Sequence, residues 1–160
     1  MSDKNAIYDN KIDMLKEKSD SINDYGEKRA NEKQRQLNII SRLRLEDGAD
    51  QDALTKMEQQ VRQHYRDDFA ENVEKPMQDA NNEWTETKRE IHESIIETRD
   101  AKDQLGEAKS ISEIGEEAIG EAEGKLDNSI HDYEEQANNL DSIMSNQNSR
   151  ISTTRNRINY

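Results

Sequence analysis

An elongated all-α protein of three to four helices, a helical hairpin or bundle with a long C-terminal coiled-coil helix, is the fold this sequence predicts. Only one Pro and six Gly punctuate its 160 residues, and no segment alternates apolar and polar residues as a half-buried strand does. Apolar residues recur instead at steps of three and four, the helix period. The core is thin: Leu, Ile, Val and Phe number 26, against a net charge of -13. Long helices sharing a narrow seam need fewer buried side chains than a compact globule to offset the roughly 1–2 kcal/mol of backbone entropy lost per residue. The chain 1–160 reads as a single helical unit.

The first helix is expected over 5–45, with Tyr8, Ile12, Leu15, Ile22, Tyr25, Leu37, Ile40 and Leu43 on its apolar side and Gly26 as a weak point. Glu46-Asp47-Gly48 closes it, since glycine takes the left-handed conformation, and Asp50 or Asp52 caps the next helix. That second helix, 52–74, spaces Leu54, Met57, Val61, Tyr65, Phe69 and Val73 by three or four. Pro76 removes a backbone donor and disfavours helical geometry at Lys75, which predicts a break or kink. A third helix, 77–109, carries Trp84, Ile91, Ile95, Thr98, Ala101, Leu105 and Ala108. Ser110-Ile111-Ser112-Glu113 has the form of a capping box and predicts a fresh start for the last helix, 112–158; one uninterrupted helix from 78 to 158 is the alternative.

The last helix has the cleanest period. Ile119, Ala122, Leu126, Ile130, Tyr133, Ala137, Leu140, Met144, Gln147, Ile151, Thr154 and Ile158 step by threes and fours, a coiled-coil seam over 112–158 whose period predicts left-handed supercoiling. At 1.5 Å per residue that segment spans about 70 Å. Small residues fill its start, with Ala118, Gly120, Ala122 and Gly124 after Gly106 and Gly115. Either they let another backbone come close, or they leave a weak helix start, each glycine costing about 1 kcal/mol relative to alanine.

Gln147 and Thr154 stand where leucine would be more stabilising. A polar residue at one layer of a seam fixes register and oligomeric state at some cost in stability. Gln147 between Met144 and Ile151 resembles the lone glutamine layer of the SNARE membrane-fusion helices over residues 119–158. The resemblance implies a four-helix complex with other heptad proteins. The seam stops at Ile158, where that family continues for further layers to a membrane anchor, and an ordinary register-fixing layer accounts for the same glutamine.

Charge is segregated. Lys28, Arg29, Lys33, Arg35, Arg42 and Arg44 form a basic stretch from 28 to 44 with a single acid, whereas Asp103 to Glu135 holds eleven acidic residues against two basic. Antiparallel pairing of the first helix with the last would bring these blocks together. A nucleic-acid reading of the basic stretch lacks an aromatic stacking platform, a glycine loop or a zinc module, and the overall charge opposes it.

Nothing points to catalysis, a metal or a cofactor. Cysteine is absent. His64, His92 and His131 belong to no arrangement that sets two ligands on one helical face, and the acidic turn after Glu46 has its glycine in the wrong slot for a calcium loop. Trp84 and Phe69, the sole Trp and Phe, are packing anchors or, alternatively, docking residues at a partner interface. Trp84 is not followed by glycine two residues on, so the W-x-G turn of small type VII secretion substrates is missing. No apolar run approaches a membrane span or a signal-peptide core, which makes the cytoplasm the default location and leaves signal-less export open.

The function expected is therefore that of a non-enzymatic interaction protein, a scaffold, tether or chaperone-like helix assembly, binding a protein partner or a second copy of itself. The alternatives are a secretion-associated helical protein, a SNARE-like fusion helix built around Gln147, and a nucleic-acid-associated factor using residues 28–44.

Overall fold

The computed structural model describes residues 2–111 and 115–160. It is all-α, with no strand among the described residues. Helix α1 is Ser2–Leu43, α2 is Gln51–Phe69, α3 is Lys75–Ile111 and α4 is Glu116–Asn159. The turn between α1 and α2 follows the sequence expectation: Gly48 has φ +77°, and the Asp50 side chain accepts from the Ala53 N–H at 3.1 Å as the cap of α2. The capping box expected at 110–113 lies partly outside the described residues; α3 ends at Ile111 and α4 begins just after Gly115, whose φ is +93°.

Pro76 opens no loop. Between α2 and α3 the chain keeps coiling through a π-helical turn, Ala70–Glu74, in which the Lys75 N–H reaches the Ala70 carbonyl five residues back. A proline inside an α-helix lacks a donor and crowds the carbonyl four residues earlier. The wider turn placed directly before it absorbs that mismatch locally, and three helical runs result: 2–43, 51–111 and 116–159.

The chain divides into two compact units. The first comprises Met1–Leu15 and Asn82–Ile143. Its core holds Tyr8, Ile12, Leu15, Ile91, Ile95, Leu126, Tyr133, Ala137 and Leu140. The rings of Tyr8 and Tyr133 meet edge to face at 5.9 Å. The Tyr8 hydroxyl shares a 2.6 Å hydrogen bond with the Ser94 hydroxyl and donates to the Glu90 carbonyl. Trp84 Nε1 and Lys88 Nζ both donate to Asp141, each at 2.9 Å.

The second unit comprises Lys16–Asn81 and Met144–Tyr160. Here α1 and α4 run parallel, since Asp20 and Asn23 meet Gln147, Glu27 meets Arg150 and Lys33 meets Ile158. Helix α2 returns antiparallel to α1, with Arg44 bonded to Glu58 and Arg29 to Asp68. The π-turn packs close to α1 at Gly26. A Cβ added to Gly26 would lie 3.3 Å from Val73 Cγ2, 3.4 Å from Thr154 Cγ2 and 3.6 Å from Phe69 Cε2, and Val73 and Thr154 are both buried. Gly26 is thus a place where α1 lies close to both the π-turn and α4, with room for little more than a methyl group. Replacing it with alanine should be nearly neutral, because a helix-propensity gain of about 1 kcal/mol meets two tight contacts. Gly26→Leu should lower stability by about 3 kcal/mol, since the added atoms have no room. Urea denaturation checks both, and a Gly26→Leu protein as stable as the wild type would contradict the packing.

Candidate interaction surfaces

The seam of α4 is largely occupied by the chain itself. Leu126, Tyr133, Ala137 and Leu140 are buried in the first unit, and Met144, Gln147, Ile151, Thr154 and Ile158 in the second. Only Ile119, Ala122 and Ile130 are half-buried. These positions face the chain's own helices, so most of the seam is not an open surface.

Gln147 does sit in a polar layer, and its partners come from α1. The fully buried Asn23 donates through Nδ2 to Gln147 Oε1 at 2.9 Å, to the Gln147 carbonyl at 3.2 Å and to the Ser19 carbonyl at 3.2 Å. Gln147 Nε2 donates to Asp20 Oδ1 at 2.5 Å. At the rim, Arg150 gathers Asp20, Asp24 and Glu27; the bond to Glu27 leads in raising its guanidinium above the ordinary arginine range. Asn23 Oδ1 is buried without a hydrogen-bond partner. A layer that leaves one acceptor unsatisfied adds little stability, and its effect is to admit a single register.

The basic stretch is taken apart by the fold. Lys33 is 2% exposed and donates to the Arg157 and Ile158 carbonyls at 2.9 and 2.6 Å, closing the C-terminal end of α4. A cation there suits the negative end of the helix dipole. Burial, helped by Arg62, Arg66 and Arg157, pushes the Lys33 amine below its ordinary range. Arg29 lies 4.7 Å from the centre of the Tyr65 ring, bonds Asp68 and Glu32, and is 3.2 Å from His64 Nε2. Burial alone would raise the Asp68 carboxyl, but hydrogen bonds from Tyr25, Asn72 and Arg29 hold it below the usual carboxylate range. Arg44 bonds Gln51, Thr55 and Glu58. Lys28, Arg35 and Arg42 remain exposed. The antiparallel pairing of the two charge blocks is therefore not the arrangement found, since Lys33, Arg29 and Arg44 meet α4 carbonyls and α2 carboxylates.

Phe69 is buried against Gly26, which makes it a packing residue, while Trp84 is half-buried on Asp141. His64 and His92 are exposed, and His131 is exposed beside Glu135. Among the described residues no group of three or more His, Cys, Asp or Glu could hold a metal ion, and no helix is long and apolar enough to cross a membrane.

Among the described residues of the first unit, the distal parts of α3 and α4 are less covered than the rest of α4. Lys4 of α1 pairs with Glu97 of α3. Farther along, α3 and α4 face each other as a two-helix arm, tied by Lys102 and Asp127 at 2.7 Å, with Ala101, Leu105, Ile119 and Ala122 half-buried. A Cβ on Gly106, Gly120 or Gly124 would meet nothing within 4 Å, so these glycines serve no close approach inside the chain. At the base of the arm a cleft of about 250 Å³ is lined by Lys4, Ser94, Glu97, Thr98, Ala101, Leu126 and Tyr133.

Sequence reasoning missed Asn23, read Gly26 as a weak point and placed Lys33 in the basic stretch. Ile12, Ser19, Gly26, Lys33 and Ile40 follow one another at seven-residue intervals and are all buried. That ladder was available in the sequence, but only its two ends are apolar. Comparison with protein-family models, curated proteins and solved structures found no match.

Two measurements probe this geometry. Gln147→Leu should cost about 1–3 kcal/mol by removing the side-chain acceptor of the buried Asn23 amide and the donor to Asp20, and adding Asn23→Leu should recover most of the loss; a double-mutant cycle in urea with additive losses would contradict the pairing. Lys33 has a lowered amine, so in the window below 10.5 the unfolded chain binds the proton more tightly and stability from this site rises with pH. The stability of the wild type minus that of Lys33→Met should increase from pH 8 to pH 10, and a falling difference would contradict the burial.

Proposed function

We propose that the chain is a non-enzymatic helical interaction protein, a scaffold or tether, that binds a partner helix along the arm formed by α3 beyond Glu97 and α4 before Tyr133. The single observation that carries this reading is the contrast along α4. From Tyr133 to Ile158 the seam is covered, while Ile119 and Ala122 share a two-helix arm and stay half-buried. Two helices leave an apolar groove that a third closes, and amphipathic helices dock in such grooves through residues three and four apart. Coiled-coil winding of the completed arm belongs to the same proposal. The acidic residues concentrated from 103 to 135 favour a helix with basic flanks.

Amide hydrogen exchange tests this with a synthetic probe, an amphipathic helical peptide carrying leucine on one face and lysine on its flanks. In the free protein, residues 98–111 and 116–130 should exchange faster than 133–158, and the probe should slow exchange in the arm. An arm as protected as the rest of α4, or a probe that protects nothing there, would contradict the proposal.

A further inference from the structure

The fold leaves one face of α1 unused. Lys28, Arg35 and Arg42 recur at intervals of seven, which sets them on one side of the helix, and all three are exposed. Ile39, 54% exposed, stands between Arg35 and Arg42, and Leu43, 43% exposed, follows one turn later. Asn31 on the same helix receives a hydrogen bond from the exposed Arg157 guanidinium of α4, which adds a fourth cation beside Lys28 and Arg35. Between 28 and 44 the only acidic residue is Glu32, and it is held by Arg29. A chain of net charge -13 thus presents a helix face that is both positive and apolar.

The same chain carries the opposite surface. From Glu97 to Asp132, the stretch that forms the arm of α3 and α4, the sequence has eleven acidic residues against four basic. Its groove offers Ala101, Leu105, Ile119 and Ala122 half-buried, and the cleft at its base includes Glu97. Arm and face match in both respects: carboxylates against Lys and Arg, and a half-covered apolar groove against Ile39 and Leu43.

We infer that the occupant of the arm is a second copy of this chain, docking the α1 face of Lys28, Arg35, Ile39, Arg42 and Leu43 into the groove between α3 and α4. This rests on the reading of the arm as a helix-binding surface and adds the partner. The contact joins two different surfaces, so it is heterologous: successive copies extend head to tail, a row keeping one free face at one end and one free arm at the other, or close into a ring. Opposite charge at such an interface speeds encounter and sets orientation, and it is screened by salt. Ile39 and Leu43 supply the apolar contact that salt does not remove.

The test uses the full chain in sedimentation velocity across a concentration series, at about 0.05 M and about 0.5 M salt, where screening lengths differ several-fold. At low salt the mass should rise with concentration above the 18.6 kDa of one chain, and high salt should reduce it. Arg35→Glu with Arg42→Glu should abolish association, as should Glu121→Lys with Glu123→Lys, while circular dichroism keeps the helical signal of the wild type. Mixing the two reversed proteins should restore a complex, because the unaltered arm of the first then meets the unaltered face of the second, and the reversed face and reversed arm match as well. A single-chain mass at every concentration, or association indifferent to both reversals, would overturn the inference. If the basic peptide still protects the arm in a chain that stays monomeric, only the identity of the partner falls; if the peptide also fails, the reading of the arm falls with it.

Discussion

The buried amide of Asn23 against Gln147 is the contact on which the second unit depends. Helices that share a purely apolar seam can slide by a turn at little cost, since one Leu or Ile replaces another. An amide pair cannot: moving α4 by one turn would set Asn23 against Met144 or Ile151 and part it from Gln147, at about 1–3 kcal/mol per stranded group. The register set there carries Arg150 to its three carboxylates on α1, and it brings the last carbonyls of α4 onto Lys33.

That register also decides where the tight packing falls. Gly26 lies one turn beyond Asn23 and faces Thr154, Val73 of the π-turn and Phe69 at the end of α2. The π-turn in turn lets the chain pass Pro76 without a loop, so the helical run from Gln51 to Ile111 stays unbroken. The polar layer, the glycine contact and the widened turn act together, and each accounts for a residue that looks unfavourable in isolation. A buried lysine, a mid-helix glycine and a mid-helix proline are all costly by helix propensity or by burial. In this fold each meets a partner that offsets the cost.

Much of this was legible in the sequence. The all-α class follows from periodicity, and the α1–α2 turn was readable because Gly48 and Asp50 act locally. The seam residues of α4 were readable as a face, and Gln147 as a polar layer. What the sequence did not disclose is who covers that face. A heptad seam looks the same whether its partner is another chain or a helix more than a hundred residues away. The matching ladder on α1 from Ile12 to Ile40 was concealed because its middle rungs, Ser19, Gly26 and Lys33, are not apolar. The basic stretch misled for a related reason: charges were read as surface by default, whereas Lys33 is buried and Arg29 and Arg44 are tied to α2.

The C-terminal half of the α4 seam is filled from within the same chain, and the arm is the surface we propose for partners. The chain has no cysteine, so a pair introduced at Gly26→Cys and Thr154→Cys reports directly on that contact. The Gly26 Cβ position lies 3.4 Å from Thr154 Cγ2; Thr154 Cβ is one bond from that atom, so the two Cβ atoms are at most about 5 Å apart, near the roughly 3.5–4.5 Å Cβ separation of a disulfide. Oxidation of the dilute double variant should give an intramolecular disulfide in monomeric protein. A chain that stays reduced, or one that cross-links only to other chains, would show that the seam takes its partner from outside.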